Sequence, residues 1–190
     1  MRIARPVSII SALVIAAAVL TLAGCQGYPT PWAVTGNGSA SWIAGASWPG
    51  GSYLDCRPSG VSNASTGVTL ISAPVAVEPD SDVFVRVAVE FEVASRSVSV
   101  WPAVRFLHVD GTQIGLDHPG DLVSESVNTA WSFYGSADTY ATVPFDAASA
   151  VIVVHIFEAG SYSPSNGARI GQARLVTDIR PSDIEPTPAN

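Results

Sequence analysis

The fold is decided by the stretch Asp82-Val83-Phe84-Val85-Arg86-Val87-Ala88-Val89-Glu90-Phe91-Glu92-Val93. Its odd positions are all apolar, whereas Arg86, Glu90 and Glu92 share the even positions with Phe84 and Ala88. This period of two predicts a β-strand that buries one face in a core and turns a charged face away from it.

The chain around this stretch also favours strands, since short runs rich in Val, Ile and Phe alternate with turn signals. Beyond the N-terminal region, no stretch combines capping residues with the 3.6-residue apolar period of a helix. Asp110-Gly111 predicts a hairpin that joins 103–109 to 113–116. Pro102 is expected at an edge or a bulge, and residues 117–121 are interpreted as a turn. Residues 32–51, rich in Gly, Ser and Ala, have a composition suited to loops and short strands and poor for helix, and no particular strand is placed there. The predicted strands are 52–57, 68–70, 75–77, 83–93, 97–109, 129–136, 140–143, 151–158 and 168–176.

Many short strands at regular spacing predict one all-β domain, a two-sheet antiparallel jelly-roll β-sandwich at 32–178. An immunoglobulin-like sandwich is the alternative, but the chain lacks the paired cysteines of that fold. The tail at 179–190 carries three prolines and no apolar period, so it is expected to be disordered.

The N-terminus has the features of an export signal, with Arg2 and Arg5 before an apolar run at 7–22. The next residues, Leu22-Ala23-Gly24-Cys25, resemble the lipobox of bacterial lipoproteins. The resemblance implies removal of the signal peptide 1–24, acylation of Cys25 with lipid such as palmitate, and a tether at 25–31. The protein would then be anchored to the extracytoplasmic face of the cell membrane. An uncleaved spanning helix is the alternative, although such a helix needs about 20 apolar residues.

Charge and cysteine content limit the function further. The chain has nine basic and 16 acidic residues, a net charge of −7. A negatively charged surface repels the phosphate backbone, which argues against nucleic acid as a partner. With Cys25 acylated, Cys56 has no disulfide partner, so it is predicted to be a buried side chain rather than a catalytic thiol.

The order of short motifs along the chain resembles the jelly-roll carbohydrate-binding modules of the galactose-binding-like group. The motifs are Gly51-Ser52-Tyr53-Leu54, residues 72–80, residues 106–111, Trp131, Thr142-Val143-Pro144, residues 151–156 and residues 167–175. The resemblance implies non-catalytic binding of a polysaccharide and a structural calcium held by an Asp of the last strand. Gly171 and Gln172 occupy the matching positions, so no metal and no other cofactor is predicted.

Sugar binding requires flat aromatic faces and fixed polar groups. Strand alternation places Trp101 and Arg105 on one face of their strand, and His155 opposite the core positions of its own strand. If these strands share a sheet with 83–93, one ligand-binding surface results. The alternative is an ordinary solvated face on which Arg105 pairs with Glu90 or Glu92. The predicted ligand-binding residues are Arg86, Glu90, Glu92, Trp101, Arg105 and His155.

Catalysis has little support, because the chain lacks the common metalloprotease, serine hydrolase and phosphate-loop motifs. Glu90 and Glu92 lie about 7 Å apart on one strand face, which suits a glycosidase pair but is typical of a solvated surface. The sequence therefore predicts a lipid-anchored protein that binds a polysaccharide or envelope glycan without chemistry. A structural or protein-interaction lipoprotein is the alternative, and a hydrolase that uses Glu90 or His155 is a third.

Overall fold

A computed structural model describes residues 32–44, 51–91, 97–124, 130–135, 139–158 and 166–177. These ranges contain no helix long and apolar enough to cross a membrane. The strands are β1 (Ala33–Gly36), β2 (Gly38–Ala44), β3 (Ser52–Pro58), β4 (Val68–Ile71), β5 (Val75–Ala76), β6 (Asp82–Phe91), β7 (Val98–Leu107), β8 (Gln113–Pro119), β9 (Val123–Ser124), β10 (Ser132–Tyr134), β11 (Ala141–Thr142), β12 (Ser149–Glu158) and β13 (Ala168–Thr177).

These strands form two antiparallel sheets. Sheet A has the order β1-β4-β12-β7-β8, with β5 beside β12 and β9 beside β7. Sheet B has the order β10-β6-β13-β3-β2, with β11 beside β6. The predicted all-β jelly-roll sandwich is confirmed.

The core lies between the two sheets, and the alternation of the sequence decides which side chains fill it. The odd positions of β6 from Val83 to Phe91 are all buried there. They meet Val104 and Phe106 of β7 and the alternate positions of β12, as predicted. Burial of each large apolar side chain contributes roughly 1.5–3 kcal/mol to folding. A smaller cluster of Ala103, Val151 and Val153 lies on the opposite, outer face of sheet A.

The predicted strands from Ser52 onward are present within the described ranges, but β1 and β2 were not predicted. β2 pairs with β3 along its whole length, from Gly38 opposite Pro58 to Ala44 opposite Ser52. Most of its side chains are exposed, so backbone hydrogen bonds hold it and no alternation of apolar residues marks it. A Cβ on Gly38 would lie 2.2 Å from the Arg57 carbonyl oxygen, which explains the glycine at its start.

The interpretation of residues 117–121 as a turn is wrong for Asp117, His118 and Pro119, which belong to β8. The Asp110-Gly111 hairpin itself is confirmed, with Leu107 opposite Gln113. The register then shifts between Val104 and Phe106. This bulge breaks the period of two, and the continuation of the strand is therefore not visible in the sequence.

Pro102 lies inside β7, a central strand, and not at an edge. The expected bulge is present, because residues 101–102 lie opposite three residues, 120–122, between the Ala103–Pro119 and Val100–Val123 pairs. The Pro102 carbonyl accepts a hydrogen bond from the Gly120 N–H at 2.8 Å. The N and C=O of one residue point to the same neighbour in an antiparallel strand, so the proline nitrogen faces the gap between Pro119 and Val123, which end β8 and begin β9. The missing N–H of the proline therefore removes no hydrogen bond between paired strands at this point.

Cys56 is fully buried in the core with a free thiol. Burial raises the pKa of this thiol far above its ordinary value, and the neighbouring Asp55 carboxylate acts in the same direction. Because the thiolate is the reactive form, the prediction of a buried, unreactive Cys56 agrees with the structure.

Candidate functional site

The outer face of sheet A carries a polar cluster, called here the A face: Thr69, Trp101, Arg105, Asp117 and His155. Arg105 donates two hydrogen bonds to the Asp117 carboxylate, at 2.7 Å and 2.8 Å. His155 Nε2 lies 3.6 Å from the same carboxylate, and its Nδ1 lies 3.1 Å from the Thr69 hydroxyl. The Trp101 ring is tilted against His155 at 6.3 Å between centroids. The cluster is thus centred on Asp117.

The electrostatics of the A face are those of a closed ion pair. Burial by itself raises the pKa of Asp117, but hydrogen bonding and charge from Arg105 and His155 outweigh it, and the pKa lies well below its usual range. The hydrogen bond to Asp117 raises the pKa of Arg105 in return, against the effect of burial. The two charges neutralise each other, so this face offers little free charge to a ligand.

The outer face of sheet B combines aromatic rings with charged groups, and we call it the B face: Tyr53, Arg86, Glu90, Trp131, Phe133 and Arg169. Arg169 Nη1 donates to Glu90 Oε2 at 2.8 Å. The Arg169 guanidinium also lies over the Tyr53 ring, 5.4 Å from its centroid. Tyr53 in turn contacts Trp131 at 5.7 Å between centroids. Tyr53 is only 6 % exposed, so its ring holds the guanidinium in place rather than forming open aromatic surface.

A second aromatic and cationic pair extends the B face toward β10. The Arg86 guanidinium lies over the Phe133 ring at 5.3 Å from its centroid. Phe133 is 50 % exposed although it pairs with the fully buried Ala88. An aromatic ring half open to solvent, with a cation held over it, is a surface on which the apolar side of a pyranose ring can stack.

The hypothesis that the predicted ligand residues share one sheet is wrong. Arg86 and Glu90 lie on β6 in sheet B, whereas Trp101, Arg105 and His155 lie on β7 and β12 in sheet A. The two groups therefore face away from each other across the core. The alternative pairing of Arg105 with Glu90 is also wrong, since Arg105 pairs with Asp117 and Glu90 with Arg169. Cys25 and Glu92 lie outside the described residues.

Six residues of these faces are absent from the predicted ligand set: Thr69, Asp117, Tyr53, Trp131, Phe133 and Arg169. Asp117 was assigned to a turn, and only the bulged hairpin brings it opposite Arg105. Tyr53 and Arg169 alternate with the core positions Leu54 and Ile170, so their outward direction was visible in the sequence, but their contact was not. Phe133 was placed in a predicted strand, where its neighbour Tyr134 packs against the core.

Gly171 and Gln172, which the sequence comparison places at the calcium-ligand position of the modules it resembles, lie in β13 where its pairing with β6 is irregular between Ile170 and Ala173. Neither supplies a carboxylate. Within the part of the chain that the structure describes, no group of three or more His, Cys, Asp or Glu side chains is placed to hold a metal ion.

No protein-family model and no curated protein matches the chain, so the comparisons rest on solved structures. The family 22 carbohydrate-binding module at the C-terminus of Xyn10B from Clostridium thermocellum aligns with a TM-score of 0.50 and 15 % identity, covering 80 % of this chain and 89 % of that one. The N-terminal family 22 and GH10 modules of Clostridium thermocellum xylanase 10B, complexed with xylohexaose, align with a TM-score of 0.54 and 9 % identity, covering 76 % of this chain.

An enzymatically active tailspike domain of bacteriophage CBA120 is similar as well, with a TM-score of 0.53, 12 % identity and 77 % of this chain covered. The chain spans 19 % of that tailspike chain and 26 % of the xylanase 10B chain. At these identities the likeness concerns the fold alone. The structural neighbours named here are a non-catalytic sugar-binding module, a xylanase fragment that includes one, and an enzyme domain.

Proposed function

We propose that this domain binds a polysaccharide or envelope glycan on the B face, without catalysis, and that the lipid on Cys25 anchors it to the outer side of the cell membrane. The observation that carries the binding proposal is the half-exposed Phe133 ring with Arg86 over it. It lies on the same sheet face as the fixed Arg169–Glu90 pair, which packs on the buried Tyr53 ring. Flat apolar rings and oriented charged hydrogen-bonding groups are what a sugar site needs.

The likeness to family 22 modules supports the same proposal, because the xylanase 10B fragment of this fold was solved with xylohexaose. Xylan and xylohexaose are therefore sensible first probes, beside bacterial envelope polysaccharides. The A face is the competing location, since Trp101, Arg105 and His155 stay a predicted ligand set. Ion pairs are closed on both faces, so the half-exposed Phe133 ring beside Arg86 is what favours the B face.

Phe133→Ala should weaken retention in a polysaccharide gel about tenfold, which corresponds to about 1.4 kcal/mol. The ring is half exposed, so its removal costs little core packing and the thermal midpoint should stay close to that of the wild type. Affinity electrophoresis of the detergent-solubilised protein against xylan, glucan, mannan and peptidoglycan measures the change.

The matched control is Phe145→Ala, which removes an exposed aromatic ring elsewhere on the surface and should leave retention unchanged. Trp101→Ala tests the competing face. If Trp101→Ala weakens retention and Phe133→Ala does not, the ligand binds the A face and the B-face proposal is wrong. If no polysaccharide of the panel retains the wild type, while an envelope protein is captured even after deglycosylation, the protein-interaction alternative is favoured.

The anchor has a test of its own. Cells that express the chain and are fed radioactive palmitate should label the wild type and not Cys25→Ser, because the thiol of Cys25 is the proposed acceptor. Cys56→Ser is the matched control and should keep the label, since its thiol is buried. Label that persists in Cys25→Ser would overturn the lipid anchor but leave glycan binding untouched.

A further inference from the structure

One end of the sandwich, called here the entry end, is formed by the end of β7, the start of β8, β5 and the start of β12. Leu107 pairs with Gln113 and with Ser149 there, and β5 pairs with Ser149 and Ala150. β1 points away from this end, because it pairs antiparallel with β4, which pairs antiparallel with β12. β1 therefore begins, at Ala33, on its side nearer the entry end.

Two large apolar side chains project at the entry end. Val109, in the turn between β7 and β8, is 94 % exposed, and Phe145, in the turn before β12, is 85 % exposed. Single exposed apolar residues are common, but these two turns are fastened to each other. The Ala148 N–H donates to the Leu107 carbonyl at 2.9 Å, and His108 Nδ1 lies 3.5 Å from Asp146 Oδ2.

Both turns are also closed internally, so the two tips are presented by ordered backbone. Gly111 N–H donates to the His108 carbonyl at 3.0 Å, and Ala147 N–H donates to the Pro144 carbonyl at 3.0 Å. The exposure of Val109 and Phe145 is thus a property of the folded turns. Apolar tips of this kind suit a surface that removes them from water, such as the boundary between lipid headgroups and acyl chains.

The length of the chain before β1 decides which surface that is. The eight residue steps from Cys25 to Ala33 span at most about 28 Å when fully extended. Ala33 is level with Ile71 and Val153, four strand residues from Ser149, and Val109 lies two residues beyond Leu107. At ordinary strand rise the tips therefore extend about 20 Å past Ala33 toward the entry end. A lipid anchor at Cys25 leaves these tips within about 8 Å of the bilayer.

We infer that Val109 and Phe145 insert into the bilayer interface and set the domain upright on the membrane with the B face to the side. This inference rests on the proposed lipid anchor. Asp110 and Asp146 border the two tips, and the hydrogen bonds from Thr112 lower the pKa of Asp110, so it stays charged. Negative charge beside the tips favours neutral over anionic headgroups.

The test uses the full acylated protein in phosphatidylcholine vesicles, with an environment-sensitive fluorophore on Val109→Cys or Phe145→Cys. Cys56 is buried and does not compete for label. The control is Val61→Cys, which is 64 % exposed at the opposite end, beside Ser62, whose N–H donates to the Glu158 carbonyl at the end of β12. Lipids that carry a nitroxide near the headgroup should quench roughly half the emission at 109 and 145 and none at 61.

Addition of anionic lipid should reduce the quenching at 109 and 145. Equal quenching at all three positions in protein that floats with the vesicles would overturn the inference while leaving the anchor intact. Protein that does not float would refute the anchor and this inference together. Retention by polysaccharide gels, measured on the same preparations, reports separately on glycan binding.

Discussion

Arg169→Met should weaken polysaccharide retention about a hundredfold and lower the free energy of unfolding by about 2 kcal/mol. Arg169 donates to Glu90 at 2.8 Å and covers the Tyr53 ring, so the substitution removes a charged donor from the proposed sugar site. It also leaves the largely buried Glu90 carboxylate without the Arg169 hydrogen bond. The loss of a partner by a buried charge is the main cost of breaking such a pair. Urea denaturation and affinity electrophoresis measure the two effects.

The double variant Glu90→Met/Arg169→Met separates binding from stability. Replacement of both partners by apolar side chains of similar length is often close to neutral for stability, so the free energy of unfolding should return most of the way to the wild-type value. Retention should stay weak, because neither polar group is restored. Recovery of retention in the double variant would mean that the pair only supports the fold and that the ligand binds elsewhere.

Asp117→Asn should lower the free energy of unfolding by about 2 kcal/mol at pH 7 and leave polysaccharide retention unchanged. Asp117 receives two hydrogen bonds from Arg105 and faces His155. The neutral amide keeps the shape but loses the negative charge that pairs with the Arg105 guanidinium. The A face and the B face lie on opposite sheets, so a purely structural role on the A face predicts a change in stability alone.

The pH dependence gives this prediction a distinct signature. The pKa of Asp117 is lower in the folded protein than in the unfolded chain, so its ionisation stabilises the fold above the unfolded pKa of about 3.9. That contribution is lost as the pH falls below about 4 through the folded pKa. The difference between wild type and Asp117→Asn should therefore shrink in acid and stay constant above about pH 5.

Asp146→Asn is the matched control, because Asp146 also faces a histidine, His108, but is exposed. Its stability should differ from the wild type by no more than about 0.5 kcal/mol across this range. A gap between wild type and Asp117→Asn that does not change with pH would show that the loss comes from the amide group and not from the missing charge.

Much of the fold was predictable because its signals are local. The apolar alternation of β6, β7 and β12 assigns their side chains to the core or to the outside. Asp110-Gly111 favours a tight turn between two strands whatever the position of the hairpin in the sheet. The edge strands β1 and β2 were not predictable, since their exposed side chains carry no alternation. The continuation of β8 to Pro119 was hidden by a bulge, which shifts every later residue to a new partner.

The sequence by itself determined that this is an all-β sandwich and that Arg86, Glu90, Arg105 and His155 point away from its core. Only the tertiary structure decided which of them meet, because alternation names the face of a strand and not its neighbour. β6 pairs with β13, which brings Glu90 to Arg169. β7 pairs with β8 and β12, which brings Arg105 and His155 to Asp117. Pairing between strands distant in the chain depends on the whole sheet, and local pattern does not contain it.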